Sequence, residues 1–294
     1  MTEKAYGILH GVIEEKRIIE IRSRRRVDFY YMSKGMFKNF MMYFTAGMYV
    51  FLTVNKTPKI QKGLLVKNII SIDKVISPDK NHPKIYYDIS LIKSGVKNVL
   101  NDKRNRLFID FEMSMPPYSN YENFISEIIQ VGYVLTDTFG KEISRYSSYV
   151  KPSFFPEISL RTIKFLHITQ EEINTGVTYK DLYSNLYGIY RNYNPAVYVW
   201  GKNDQLELDK ANKLHKLRNF TKSMRFIDLL NLHKIYYGLK NDIGLFNAYN
   251  LYSDVDLSDQ KHDAFEDALV TKEIFINFKE VCDKNIQIDI KNNQ

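Results

Sequence analysis

A single cysteine, Cys282, stands in a chain of 294 residues. No intrachain disulfide can form, and no zinc site built from clustered thiolates is available. Long apolar runs are missing as well. No uncharged stretch reaches the roughly 20 residues that a membrane-spanning helix needs, so no membrane partner is expected. The opening residues, MTEKAYGILHG, hold no extended apolar segment ahead of a small-residue cleavage site, and the expectation is a cytoplasmic protein. The sequence also lacks internal repeats and low-complexity tracts, and nothing in it calls for a nucleotide cofactor. With 44% hydrophobic and 26% charged residues, a wholly disordered or fibrous chain is excluded. The length suits about two domains.

Charge divides the chain. The total is 42 basic against 34 acidic residues, net +8. Residues 1–105 hold 20 Lys and Arg against 9 Asp and Glu, which is +11, and residues 106–294 hold 22 against 25, which is −3. A basic front joined to a mildly acidic back suggests a polyanion-binding module attached to something else.

The front reads as β-structure. Ile8 to Ile13, Ile18 to Arg22, Val27 to Met32, Gly47 to Val54 and Leu64 to Ile72 are short runs rich in β-branched and aromatic residues, separated by polar turns. About five such strands predict a small barrel over residues 1–76. Residues 77–105 are polar and lysine-rich and read as a linker with room for a short helix from Ile89 to Leu100. In the barrel, Phe29 and Tyr31 are expected on one strand face, and Arg22, Arg24 and Arg26 on one face of the strand before it. Cations that neutralise phosphates beside aromatic rings that stack bases suit a single strand of RNA or DNA. The insert from Lys34 to Phe44, with Met36, Phe37 and Phe40, reads as a hydrophobic plug or partner surface.

The back, 106–294, alternates strands and helices, which implies a mixed sheet flanked by helices. Arg106 to Glu112, Glu127 to Thr136 and Lys141 to Val150 form an antiparallel trio. Ala196 to Trp200 and Met224 to Ile227 are further strands. Helices are expected at Thr169 onward (a capping box, Thr169 with Glu172), Tyr179 to Arg191, Gln205 to Leu217, Leu229 to Tyr237, Gly244 to Tyr252 and Ala264 to Phe278.

Three acidic pieces lie in this half. Asp110 and Glu112 are two apart on a strand, so both carboxylates point to one side. Like charges held that close in an apolar setting repel unless a cation lies between them. Asp204 follows the apolar strand that ends at Trp200, and is either a ligand at a strand end or a helix cap. His262 precedes a helix, with Asp267 about one and a half turns along. Four carboxylates suit Mg²⁺ or Mn²⁺, and a histidine of near-neutral pKa suits a general base. Trp200 reads as core and Asp228 as a helix cap.

These pieces in this order resemble the DEDDh exonucleases, of the RNase T and DnaQ type. The motif Asp-x-Glu appears in Phe108-Ile109-Asp110-Phe111-Glu112, the second aspartate in Trp200-Gly201-Lys202-Asn203-Asp204, and His-x4-Asp in His262 to Asp267. Ser126 to Gly132, Tyr149 to Pro152 and Leu166 to Thr169 resemble the family's intervening landmarks. The resemblance spans about residues 106–280 and leans towards the histone-mRNA exonuclease and KapD branch. It implies a ribonuclease H-like α/β domain and removal of nucleoside 5′-monophosphates from the 3′ end of single-stranded RNA or 3′ overhangs. It implies two Mg²⁺ or Mn²⁺ ions on Asp110, Glu112, Asp204 and Asp267, with His262 deprotonating the attacking water. Met113 and Ser114, where the family often has a threonine or small residue, would lie near the 3′ nucleotide. A 3′–5′ exodeoxyribonuclease and a non-catalytic nucleic-acid-binding regulator are the alternatives. The front resembles a cold-shock domain, an OB-type barrel. Phe29 to Ser33 resembles its second RNA-binding strand, and Glu20 to Arg24 stands where its glycine-aromatic first motif belongs.

Overall fold

Apolar side chains at every second position build the front sheet. The computed structural model describes residues 1–24, 26–79, 81–119, 123–239, 241–253, 262–286 and 288. It divides into two compact units, Met1–Gly95 and Val96–Gln294.

In the first unit the strands are β1 (Thr2–Ile13), β2 (Ile18–Ser23), β3 (Arg26–Tyr31), β4 (Tyr49–Asn55), β5 (Lys59–Gln61), β6 (Leu64–Ile76) and β7 (Ile85–Asp88). The helix α1 (Lys34–Phe40) follows β3, and α2 (Ile89–Leu100) follows β7. The pairing order is β3-β2-β1-β4-β6-β5, with β7 on β6 and a further parallel pairing of β3 with β6 through Tyr30 with Lys67 and Tyr31 with Asn68. In β4, Val50, Leu52 and Val54 are buried, whereas Tyr49, Phe51 and Thr53 alternate with them on the other face. The core gathers Leu9, Ile19, Ile21, Tyr30, Val50, Leu52, Ile69 and Ile72, and Met36, Phe37 and Phe40 of α1 pack against it. That is the plug expected of the insert.

Seven strands replace the expected five because β5 and β7, of three and four residues, are too short to show apolar alternation, and β1 starts earlier than expected, at Thr2. Residues 77–105, read as a linker, carry β7 and α2, and the division between units falls inside α2.

The second unit holds β8 (Arg106–Met113), β9 (Ile128–Thr136), β10 (Glu142–Lys151), α3 (Leu160–Leu166), α4 (Gln170–Thr175), β11 (Val177–Thr178), α5 (Tyr179–Tyr193), β12 (Ala196–Val199), α6 (Asn203–Leu214), β13 (Arg225–Asp228), α7 (Leu229–Tyr237), α8 (Leu245–Tyr249) and α9 (Ala264–Lys284). The sheet runs β11-β10-β9-β8-β12-β13, antiparallel among β8, β9 and β10 and parallel from β8 through β12 to β13. Helices cover both faces. Leu107, Ile109 and Phe111 of β8 pack with α5 and α6. Phe108 packs with Tyr198 and with Leu229, Phe275 and Phe278 from α7 and α9. Among the described residues no helix is long and apolar enough to cross a membrane.

Candidate active site

The two-residue period of β8 decides which way its acids face. Phe108 enters the core under α9, so Asp110 and Glu112, on the same side, emerge beneath the first turn of α9. Across the ladder, Asp110 pairs with Gly132 and Glu112 with Gln130. Both partners seat that helix. A Cβ at Gly132 would lie 2.2 Å from the Phe265 backbone N and Cα. Gln130 donates from Nε2 to Asp263 Oδ2 at 2.7 Å and accepts the Ala264 N–H at 3.4 Å. Asp263 caps α9 by accepting the N–H groups of Phe265 and Glu266, each at 3.0 Å. Gln130 and Gly132 were visible in the sequence as a strand landmark, but their role appears only with the pairing register.

Asp204 is not a helix cap. It sits in the first turn of α6, whose cap position is Lys202 with no side-chain bond. Its buried Oδ1 instead accepts the Phe111 N–H of β8 at 3.1 Å. The turn that carries it there passes through Gly201, whose φ of +98° favours glycine. Asp267, one turn into α9, is buried, and its Oδ1 has no hydrogen-bond partner among the described residues. Ligand atoms of Glu112, His262 and Asp267 lie within 4.8 Å of one another.

His262 stands just ahead of α9, with Nδ1 3.8 Å from Glu112 Oε1. Its ring stacks on Phe165 of α3 at 4.4 Å and 20°. Burial and then the charge of His167 lower its pKa, which favours the neutral, proton-accepting imidazole. The sequence reading missed α3 and Phe165. The signal was Ser159 as a cap, with Thr162 three residues on. Ser159 and Thr162 also bind the Met115 backbone, at 2.8 and 2.9 Å. Met113 is half-buried against the core. Ser114 is buried, and its hydroxyl accepts the Glu127 N–H at 3.0 Å. Trp200 packs with α7 and donates to the Ile243 carbonyl at 3.1 Å. Asp228 caps α7 by accepting the Asn231 N–H.

Charge is the dominant fact of the cluster. Burial pushes Glu112 up to about 8, assisted by Asp267, Asp204 and Asp263. Burial likewise raises Asp204 and Asp267 to about 7. Asp110 goes well above the carboxylate range, from burial and then Asp204, Asp267 and Glu112. Hard oxygen donors that cannot all ionise together, one of them unpartnered, are what a divalent cation fits.

A stability test follows from these directions. A carboxyl whose folded pKa is raised contributes stability that is full below its unfolded value near 4 and is lost as pH rises through its folded value. The metal-free protein should therefore lose Tm between about pH 5 and pH 8. Saturating Mn²⁺ should raise Tm more at pH 8 than at pH 6, because at pH 6 protons must first be displaced. Thermal melts in EDTA and in Mn²⁺ across that range check this, and a metal effect independent of pH would contradict it.

Phe29 and Tyr31 share one face of β3, as expected, but the arginines are placed differently. Arg22, Arg24 and Arg26 do not share a strand face. β2 ends at Ser23, Arg24 turns with φ +55°, and Arg26 opens β3 opposite Ser23. Alternation cannot continue through a hairpin turn. Phe29 is half-buried, and Tyr31 lies under Arg17, which donates to its hydroxyl at 2.5 Å.

Comparison with known proteins locates the second unit. A protein-family model described as Exonuclease, RNase_T, matches residues 107–275. The probable 3′–5′ exonuclease KapD of Bacillus subtilis (strain 168) is 32% identical over 171 residues, covering 58% of this chain and 82% of that protein. Among solved structures, the nuclease domain of 3′hExo, a DEDDh family member bound to rAMP, superposes with a TM-score of 0.53 at 19% identity, over 64% of this chain and 96% of that one. A 3′-exonuclease described in 3′-end recognition of the histone mRNA stem-loop gives 0.53 at 17% identity, over 64% and 85%.

Proposed function

The chain belongs to the RNase T exonuclease family, and from that premise we propose that it is a 3′–5′ exonuclease of the DEDDh type that shortens single-stranded RNA from the 3′ end by two-metal hydrolysis. The observation that carries this is the convergence of Asp110, Glu112, Asp204 and Asp267 from three elements, with His262 beside Glu112.

In this reading the four carboxylates would hold two Mg²⁺ or Mn²⁺ ions. When bound, such ions supply an acidified water and charge stabilisation at the leaving oxygen. His262, kept neutral and oriented by Phe165, accepts the water proton. The water oxygen bonds to phosphorus, the 3′-oxygen of the preceding nucleotide leaves, and the terminal nucleotide departs with its phosphate at the 5′ position. Met113, at the end of β8, meets the terminal nucleotide, and the Met115 backbone held by α3 shapes the floor beside it. Ser114 holds the chain beside it in place, since its hydroxyl, N–H and carbonyl are all bound to Glu127 and Ser126.

The first unit supplies the grip. Its pairings run β1-β2-β3-β6-β4 and back to β1, which supports an OB-type barrel of the cold-shock kind. The +11 charge of residues 1–105 suits a polyanion. RNA is the proposed substrate, in keeping with two solved structures of this fold described with rAMP and with histone mRNA.

The test is a panel of matched 3′-labelled RNA and DNA oligomers with Mn²⁺, run beside His262→Ala. Expected are metal-dependent release of nucleoside 5′-monophosphates, faster on RNA, and a loss of about 10²–10⁴-fold in His262→Ala, the usual worth of a positioned base. Preferential DNA degradation would make it an exodeoxyribonuclease. Binding without cleavage would make it a regulator.

A further inference from the structure

The first unit presents an aromatic platform that differs from the strand face the sequence suggested. Tyr6 of β1 and Phe51 of β4 are directly paired across the ladder, and their rings stack with centroids 6.0 Å apart at 19°. Tyr6 is 63% exposed. β1 pairs with β2 only from Ile8 onward, so along residues 2–7 the sheet parts beside the β2–β3 hairpin. A cleft of about 650 Å³ opens there, lined by Lys4, Tyr6, Arg24, Arg26, Asp28 and Tyr30 among others. On the other flank of Tyr6 a second cleft, of about 390 Å³, runs past Phe51, Lys74 and Asp88.

The charges in these clefts are unequal. Lys4 is bound to Asp73, Glu3 to Lys67 and Lys74 to Asp88. Arg24 and Arg26 are exposed and in no ion pair among the described residues, and the opposing free carboxylate is Asp28. A large ring left in water beside unpaired guanidinium groups marks an interaction surface rather than core. Guanidinium groups next to a stacking face suit alternating phosphate and base.

We propose that single-stranded nucleic acid binds across this face, a base stacking on the Tyr6–Phe51 pair and its phosphates meeting Arg24 and Arg26. This rests on the reading of the first unit as the strand grip and replaces Phe29 and Tyr31 as its aromatic contacts. The shared chemistry of base faces and phosphates takes RNA and DNA alike, so discrimination between them belongs to the catalytic unit.

The experiment measures binding of 5′-fluorescein 12-mers of oligouridylate, oligothymidylate and an abasic phosphodiester strand to the full chain in EDTA. Tyr6→Ala/Phe51→Ala should weaken both base-bearing strands about tenfold or more and leave the abasic strand unchanged. Tyr6→Phe should restore wild-type binding, and Arg24→Glu/Arg26→Glu should weaken all three. Cleavage of a trinucleotide with Mn²⁺ should be the same in every variant. Unchanged 12-mer affinity in Tyr6→Ala/Phe51→Ala overturns the proposal. So does a loss confined to Phe29→Ala/Tyr31→Ala, or a change from dimer to monomer without a change in affinity, which would assign the face to a second copy. Failure of the exonuclease reading is separate: the wild type would then leave the trinucleotide intact.

Discussion

Asp110→Asn should reduce nuclease activity by about 10³-fold while raising the Tm of the metal-free protein. Both signs come from one cause. Asp110 is buried among Asp204, Asp267 and Glu112, and its ionised form is strongly disfavoured there. An amide of the same shape removes that repulsion, so the empty cluster becomes easier to fold at pH 8. Each kcal/mol recovered is worth about 2–4 °C for a unit of this size. The activity loss follows because an amide replaces a charged ligand. Several kcal/mol of transition-state stabilisation depend on the ions, and about 1.4 kcal/mol is tenfold in rate. The pair of measurements separates this from a general defect, which would lower both quantities. Full activity in Asp110→Asn would remove it from the site, and a lower metal-free Tm would contradict the electrostatic account. Mn²⁺ should stabilise the variant less than the wild type, since one of its anchors has lost its charge.

The chemistry of the site was legible in the sequence, and its mechanical support was not. Asp110 and Glu112 announce themselves because a strand's period of two puts both on one side, and Asp267 because a helix places it one turn inside. The partner of Asp204 is a backbone N–H on β8, 93 positions away, and no local pattern encodes that. Gln130 and Gly132 read as ordinary strand residues until the register sets them opposite Glu112 and Asp110. Phe165 escaped because α3 has only seven residues, too few to show an apolar period. In the front unit, Arg24 misled because a residue with φ +55° reverses the chain, and the face assignment of everything after it changes. Strand and helix identities survived from periodicity. What failed was contact information, which depends on how periods are brought together.

Gly132→Ala should be the most damaging small substitution in the second unit. The added Cβ would stand 2.2 Å from the Phe265 backbone and 2.4 Å from the Ala264 carbonyl carbon. Those atoms belong to the first turn of α9, which no rotamer change can move aside. Overpacking commonly costs about 1–3 kcal/mol, and a clash with backbone falls at or beyond the upper end. About 3 kcal/mol corresponds to a Tm loss of roughly 10 °C. The helix has one direction of escape, away from β9, and that movement breaks the Gln130 bonds to Asp263 and Ala264. It also draws Asp267 and His262 away from Glu112, so activity should fall further than stability requires. Gln130→Ala isolates the second effect. It removes the same tether without a clash, so it should leave stability within about 1–2 kcal/mol of wild type yet reduce kcat more than it raises KM. If Gly132→Ala melts like the wild type and cleaves at the wild-type rate, α9 is not seated on β9 as described. If Gln130→Ala changes KM alone, the tether does not position the catalytic end of the helix.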